Sequence, residues 1–382
     1  MSVRKRTWVS GGEEKSAWIV DYFDQDRVRR QETFARKKEA EARAIEVGHE
    51  LREGIHTPRA ASITVAEVAI LWIEASRLHG HERSTLEQHR GHIDHHIIPL
   101  IGRARLADLS TPRVQRFADD LLTRPKADGS DETLSRSTAR KVLSSLKSLI
   151  KHAQRQGQIA KNPAQPVGIR VPTRGTVKLK AGRDFPDKRE INTILQAASG
   201  RWRPLIITAV FTGLRASELR GLAWSAVDFN KRMITVRQRA DEWGTIAMPK
   251  SHAGQREVPM SPAVCNTLKE WKLGCPRGDL DLVFPNTLGR VEALTNITQR
   301  AWHPLQREAG LVDESGEPLF NFHALRHFAA SLWIELGFSP KRLQTLLGHS
   351  SIQMTFDRYG HLFPSAEDDH ERFARGEIGL VA

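Results

Sequence analysis

Cysteine is almost absent from this chain: Cys265 and Cys275 are the two thiols in 382 residues. Two cysteines can build neither a disulfide framework nor a four-cysteine zinc site. Long apolar runs are missing as well. No stretch approaches the roughly 18–20 uninterrupted residues of a membrane span, and Met1 to Ser10 has no apolar segment that could act as a secretory signal. The expected location is therefore the cytoplasm, and the nucleoid within it. Tyrosine is scarce, with Tyr22 and Tyr359 alone. Acidic residues are in deficit, 45 Asp+Glu against 58 Lys+Arg, which leaves a formal surplus of +13. A polyanion is the partner that such a surplus first suggests. The rest of the composition, 39% hydrophobic and 27% charged, suits a folded chain and not a wholly disordered one. At a soft prior of about 100–200 residues per domain, the length corresponds to two or three domains.

The positive surplus is concentrated. Between Arg136 and Glu190 there are fourteen Lys/Arg and three acids, Asp184, Asp187 and Glu190. Taken alone, such a stretch fits a nucleic-acid groove or a solvated basic face equally well.

The apolar spacing divides the chain. Thr7 to Ser10, Ala17 to Phe23 and Arg29 to Phe34 read as strands around the turn Gly11-Gly12, followed by a charged helix over Arg36 to Glu53. From Thr64 to about Ala160 the period is helical, with stripes such as Val65, Val68, Ala69 and Trp72, or Val142, Leu143, Leu146, Leu149 and Ile150. Thr64 with Glu67, and Thr111-Pro112, are helix-start signals, and four or five helices are expected. Asn162 to Arg174 carries Pro163, Pro166 and Pro172 and reads as an extended linker. Beyond about 180 the pattern is mostly helical, interrupted by short strands at Met233 to Arg237, Gly244 to Met248 and Arg256 to Pro259. Trp202, Trp224, Trp302 and Trp333 are expected in the core. His89, His92, His95 and His96 crowd the segment Glu87 to Pro99, but no Cys or suitable carboxylate completes a zinc site there, and no metal is expected.

Four segments of the last domain hold an unusual set of residues. Thr212-Gly213-Leu214-Arg215-Ala216-Ser217-Glu218-Leu219 places an arginine just after a glycine turn, at a helix start that favours anions. Lys250 follows in the strand-rich insert. His323-Ala324-Leu325-Arg326-His327 sets His323 and Arg326 three apart on one helix face. The fourth segment runs from Leu347-Gly348-His349-Ser350, where a helix should stop at the glycine, to Asp357-Arg358-Tyr359-Gly360-His361. In order and spacing this set resembles the tyrosine recombinase (phage integrase) family, whose catalytic domain uses two arginines, a lysine, two histidines and a tyrosine.

The resemblance implies a mainly α (α+β) chain. Residues 1–58 would be a small three-stranded-sheet-plus-helix domain of the arm-type DNA-binding kind, 62–162 a helical core-site DNA-binding domain, and 163–179 a linker. Residues 180–364 would be a mainly helical catalytic domain with a small β-sheet insert, and 365–382 a C-terminal tail. The implied activity is site-specific cleavage and rejoining of DNA through a 3′-phosphotyrosyl intermediate, for integration or excision of a prophage or genomic island. The implied partners are double-stranded DNA, a homotetramer on paired recombination sites, and accessory DNA-bending or directionality factors.

Chemistry explains why these residue types belong together. A phosphodiester repels nucleophiles, and in the transition state charge spreads over its non-bridging oxygens. Arg215 and Arg326 can place paired N–H donors on those oxygens and stay charged throughout. Tyr359 is the expected nucleophile, a phenol that is mostly un-ionised at neutral pH and needs help to lose its proton. His323 is expected to accept or orient that proton, Lys250 to protonate the departing 5′-oxygen, and His349 to donate a hydrogen bond to the phosphate. Glu218 is expected to orient Arg215 and not to touch DNA. The covalent link conserves the bond energy, so neither ATP, metal nor another cofactor is called for. Arg136, Arg140, Lys141 and Lys147 are the expected DNA contacts of the basic stretch, with the helical and catalytic domains closing round the duplex. The tail from Pro364 is expected to pack on a neighbouring protomer. Two other classes stay open: a non-catalytic DNA-binding relative, in which at least one of the six positions should have decayed, and a type IB topoisomerase, which the three-part layout disfavours.

Overall fold

The computed structural model describes residues 1–25, 27–52, 62–125, 132–171 and 178–363, together with Phe373 and Glu377. The chain divides into two compact units, Met1–Pro172 and Thr173–Ala382. It is mainly helical, with small antiparallel sheets.

The first unit opens with strands β1 (Ser2–Ser10), β2 (Glu13–Phe23) and β3 (Arg29–Phe34), paired antiparallel in that order. Ser10 pairs with Glu13, so Gly11 and Gly12 form a two-residue turn, and both have positive φ (66° and 84°). That geometry twists with the strands and is open to glycine at no steric cost. Helix α1 (Lys37–Arg52) covers one sheet face, burying Val20 and Tyr22 against Ala40 and Val47. The Tyr22 hydroxyl donates to Glu32 at 2.9 Å.

A second core gathers α2 (Val65–Leu78), α3 (Arg83–His92), a π-helical turn at Ile93–Ile97, α4 (Ile98–Ile101), α5 (Thr111–Thr123) and α6 (Arg136–Arg155). Thr64 and Glu67 close the expected capping box at the start of α2. Helix α6 sorts its residues by face. Ala139, Val142, Leu143, Leu146, Leu149 and Ile150 are buried, while Arg140, Lys141, Ser144, Lys151 and Arg155 look outward. His89 stacks on Trp72 with ring centroids 4.5 Å apart, and His92 Nδ1 meets the Ser145 hydroxyl at 2.8 Å. These histidines therefore join α3 to α2 and α6.

The proline-rich segment after α6 departs from the expected extended linker over its first half. Ala164, Val167 and Ile169 are buried in the helical core. Asn162 Nδ2 donates to the Lys147 carbonyl (3.0 Å), Lys147 Nζ to the Gln165 carbonyl (3.2 Å), and Arg136 to the Arg170 carbonyl (3.3 Å). Apolar residues spaced between the prolines give this stretch a surface to bury, and burial outweighs the freedom of a solvated linker. Residues 172–177 and the tail from Pro364, Phe373 and Glu377 apart, lie outside the described residues.

The second unit surrounds a larger core. Helices α7 (Lys188–Ala197), α8 (Arg203–Thr212) and α9 (Ala216–Arg220) precede the strands. Strands β4 (Val227–Asp228), β5 (Met233–Val236) and β8 (Arg256–Pro259) form one sheet, and β6 (Arg239–Ala240) pairs with β7 (Ile246–Ala247) in a separate hairpin. The helices resume with α10 (Pro262–Gly274), α11 (Leu294–Ile297), α12 (His303–Glu308), α13 (Ala324–Glu335), α14 (Pro340–Leu347) and α15 (Ile352–Tyr359). Helix α8 is apolar on every side and buried almost throughout, as a central helix should be. Trp224, Trp302 and Trp333 are buried, while Trp202 is half-buried beneath the Arg201 guanidinium. Among the described residues no helix is long and apolar enough to cross a membrane.

Candidate active site

The site is built around the end of α14. Gly348 takes φ +63°, and a Cβ there would lie 2.9 Å from the Ala253 carbonyl oxygen, so a side chain is excluded twice over. The last carbonyls of a helix have no intrahelical donor and carry the negative end of its dipole. Here three consecutive carbonyls receive three guanidiniums from three different elements. Arg256 Nε, from β8, donates to Leu346 O at 2.6 Å; Arg326, from α13, donates to Leu347 O; Arg215, at the start of α9, donates to Gly348 O at 3.0 Å.

Glu218 holds this cationic cluster together. Its two oxygens accept from Arg256 at 2.9 and 2.8 Å, and from the Arg215 guanidinium at 2.7 Å and backbone N–H at 2.8 Å. Burial opposes its charge, but the Arg256 fork, then Arg215 and Arg326, outweigh that and hold the carboxyl down at about 2. Arg326 is 2% exposed and also donates to Gly213 O at 2.7 Å. Burial and the neighbouring Arg215 lower it to about 9, still charged at neutral pH. Gly213, at φ +57°, ends α8 in close contact with Ala329 and Trp333, and this turn delivers Arg215 to the cluster.

His349, in the turn after α14, is buried with Nδ1 2.9 Å from the Thr355 hydroxyl. Its ring lies nearly parallel to that of Tyr359, 6° apart, with centroids separated by 6.4 Å. Burial, then Arg326, Arg215 and Arg256, push it down to about 4, so it is neutral at pH 7. Tyr359 closes α15 and is 1% exposed. Burial pushes its hydroxyl up to about 12, against the pull of Arg326, Arg358 and Arg215. The phenol is therefore protonated at rest, and its hydroxyl meets His327 Nδ1 at 2.7 Å.

The fold thus gathers Arg215, Arg326, His349 and Tyr359. His323 is the N-cap of α13, exposed and edge-on to His327 with centroids 5.0 Å apart. Partial desolvation, then Arg326, Arg358 and Arg215, lower it to about 4. Lys250 stands on the exposed loop between β7 and β8; the far end of that loop, Ala253 and Gly254, packs against the Gly348 turn and Arg256. Sequence reasoning missed Arg256 and His327. Arg256 was legible as a charge on the same strand face as the buried Val258, and His327 as the residue four along from His323 on the same helix.

Guanidiniums, neutral histidines and a buried tyrosine gathered at one helix end form a site suited to hold an anion beside a hydroxyl group, as an enzyme of phosphodiester chemistry requires. The phage integrase family model matches residues 185–365, and that of the phage integrase N-terminal SAM-like domain matches residues 64–122. The chain belongs to the phage integrase family, the tyrosine recombinases. A tyrosine recombinase XerC-like protein of Caldanaerobacter subterraneus subsp. tengcongensis is 27% identical over 94% of this chain and 96% of its own length. The fold is shared with the Tn1549 transposon integrase solved with transposon right-end DNA (TM-score 0.63, 22% identity, 83% of this chain and all of that one). It is also shared with a lambda integrase tetramer solved on a Holliday junction (TM-score 0.56, 20% identity, 91% and 92%).

Proposed function

We propose that this protein is a site-specific DNA recombinase that cleaves and rejoins strands through Tyr359, acting as a homotetramer on paired sites in nucleoid DNA. The observation that carries this reading is the convergence of Arg215 and Arg326 beside the buried Tyr359 hydroxyl. Bound between the guanidiniums, a scissile phosphate would gain charge-assisted hydrogen bonds that strengthen as negative charge grows on its oxygens. His349 is fit to be a donor there in the tautomer whose Nδ1 accepts from the Thr355 hydroxyl, which carries the N–H on Nε2. Lys250, on its loop, is the proposed acid for the departing 5′-oxygen. The 5′-hydroxyl of another strand then attacks the phosphotyrosyl link, and the steps run in reverse. A nicked duplex that loses the short 5′ fragment traps the covalent intermediate, and the adduct should map to Tyr359 by peptide mass spectrometry. Tyr359→Phe should still bind the duplex and form no adduct that survives SDS; an adduct with this variant would overturn the assignment.

The outward face of α6 is the proposed duplex contact of the first unit. Arg140 and Lys141 border a groove of about 350 Å³ with Gln88, His89, His92 and Ser144. Arg136 and Lys147 instead spend donors on backbone carbonyls of the following segment. Replacing Arg140 and Lys141 together by Ala should reduce the slope of log affinity against log salt by up to about 0.9 for each phosphate that is no longer neutralised. Arg136→Ala should leave that slope nearly unchanged. Equal slopes for all variants would identify a solvated face.

A further inference from the structure

We propose that His327, rather than His323, orients the Tyr359 hydroxyl and takes up its proton as the tyrosyl oxygen attacks phosphorus. The inference rests on Tyr359 being the nucleophile.

The geometry is direct. Tyr359 Oη and His327 Nδ1 are 2.7 Å apart, and both side chains are buried, at 1% and 7% exposure. A phenol that keeps its proton can donate across this contact to the His327 tautomer that carries its hydrogen on Nε2 and leaves the lone pair on Nδ1, and this is the tautomer the proposal requires. Phe185 packs against the His327 ring with centroids 6.5 Å apart. His323 and His327 are four apart, so they neighbour each other along α13, with His327 buried against the tyrosine and His323 exposed.

In the resting enzyme His327 is a weak base. Burial, then His323, Arg358 and Arg326, hold it down at about 3, with Asp184 pulling the other way. A phosphodiester entering beside Arg326 offsets one of the charges that hold His327 down, and proton uptake becomes easiest when the tyrosyl oxygen bonds to phosphorus. The step balances. The Tyr359 O–H bond breaks and its proton goes to His327 Nδ1; the Oη–P bond forms, and the P–O5′ bond breaks, with the 5′-oxygen taking a proton from Lys250. On rejoining, the 5′-hydroxyl gives its proton to Lys250 and His327 returns its own to Tyr359.

The test is single-turnover adduct formation by the full chain on the nicked duplex, with duplex affinity measured in parallel. His327→Phe keeps a ring but offers no acceptor, and should slow adduct formation by about 100-fold or more at unchanged affinity. His327→Asn keeps an acceptor oxygen near the Nδ1 position without a usable base, and should remain at least about ten-fold slow. Because the chain has two tyrosines, Tyr22 and Tyr359, biosynthetic replacement by a fluorotyrosine alters the nucleophile with one other change in the N-terminal sheet. A more acidic phenol needs less help, so the gap between wild type and His327→Asn should narrow. Wild-type rates in both variants would overturn the proposal, as would a gap that fluorination leaves intact. If His327→Phe fails to fold, His327→Asn decides alone. A wild-type protein that forms no adduct would instead refute the nucleophile assignment itself.

Discussion

Arg326→Lys should slow adduct formation by about 10²–10³-fold, with duplex binding nearly unchanged. Loss of one pre-placed donor to a developing oxyanion costs about 2.7–4 kcal/mol in the transition state, which is that range of rates. Lysine keeps the charge but not the fork. In this protein the Arg326 guanidinium holds Gly213 O and Leu347 O, linking the turn that carries Arg215 to the turn that carries His349. One ammonium on a flexible stem cannot hold both carbonyls and also face a phosphate. Leaving one buried carbonyl unpaired should lower stability by about 1–3 kcal/mol, visible as a lower Tm of the second unit. Single-turnover cleavage decides the matter: a rate within three-fold of wild type would remove Arg326 from the reaction.

Glu218→Gln should destabilise the second unit by about 3–5 kcal/mol, because it removes the buried carboxylate that offsets Arg256, Arg215 and Arg326 and leaves Arg256 charged and buried. Cleavage should fall as well, since Arg215 loses the partner that fixes its guanidinium. The pH dependence separates this charge from the histidines. In the native protein Glu218 lies at about 2, below its ordinary 4.5. Its contribution is therefore complete above about pH 4.5 and is lost as the pH falls through about 2. His327 and His349 are held neutral, at about 3 and about 4 against an ordinary 6.5. Stability from this source declines as the pH falls below about 6.5, where the unfolded chain takes up protons that the native site refuses. Wild type should thus lose stability in two stages, and Glu218→Gln should keep the first and lose less in the second, where other lowered carboxyls such as Asp184 and Asp313 still contribute. Calorimetric unfolding across that range would show it; a variant as stable as wild type at neutral pH would mean the cluster does not depend on Glu218.

Much of the local structure was legible because short-range rules govern it. The Thr64 and Glu67 box, the Gly11-Gly12 turn and the glycine stop at Gly348 each follow from residues within a few positions of one another. Six positions of the last domain, in their order, were enough to suggest a family and an activity. The fate of the prolines after α6 was less legible. Whether Ala164, Val167 and Ile169 lie in solvent or in a core depends on whether another helix offers a complementary apolar face, which adjacent residues do not reveal. Charge was ambiguous for the same reason: Arg140 and Lys147 look alike in sequence, yet one faces outward and the other ties down a backbone carbonyl.

By itself, then, the sequence determined the chemistry available: two tyrosines, scarce cysteine, a basic surplus, and arginines and histidines beside Tyr359. Only the tertiary structure decided the partnerships within that set. It brought Arg256 from a distant strand onto Glu218, seated three guanidiniums on three successive carbonyls at the end of α14 and its glycine cap, and set the Tyr359 hydroxyl against His327. The reason is physical. Residue type fixes charge and hydrogen-bonding capacity, but buried polar groups must be satisfied by whatever the packing of distant elements places within about 3 Å, and that is a property of the folded chain.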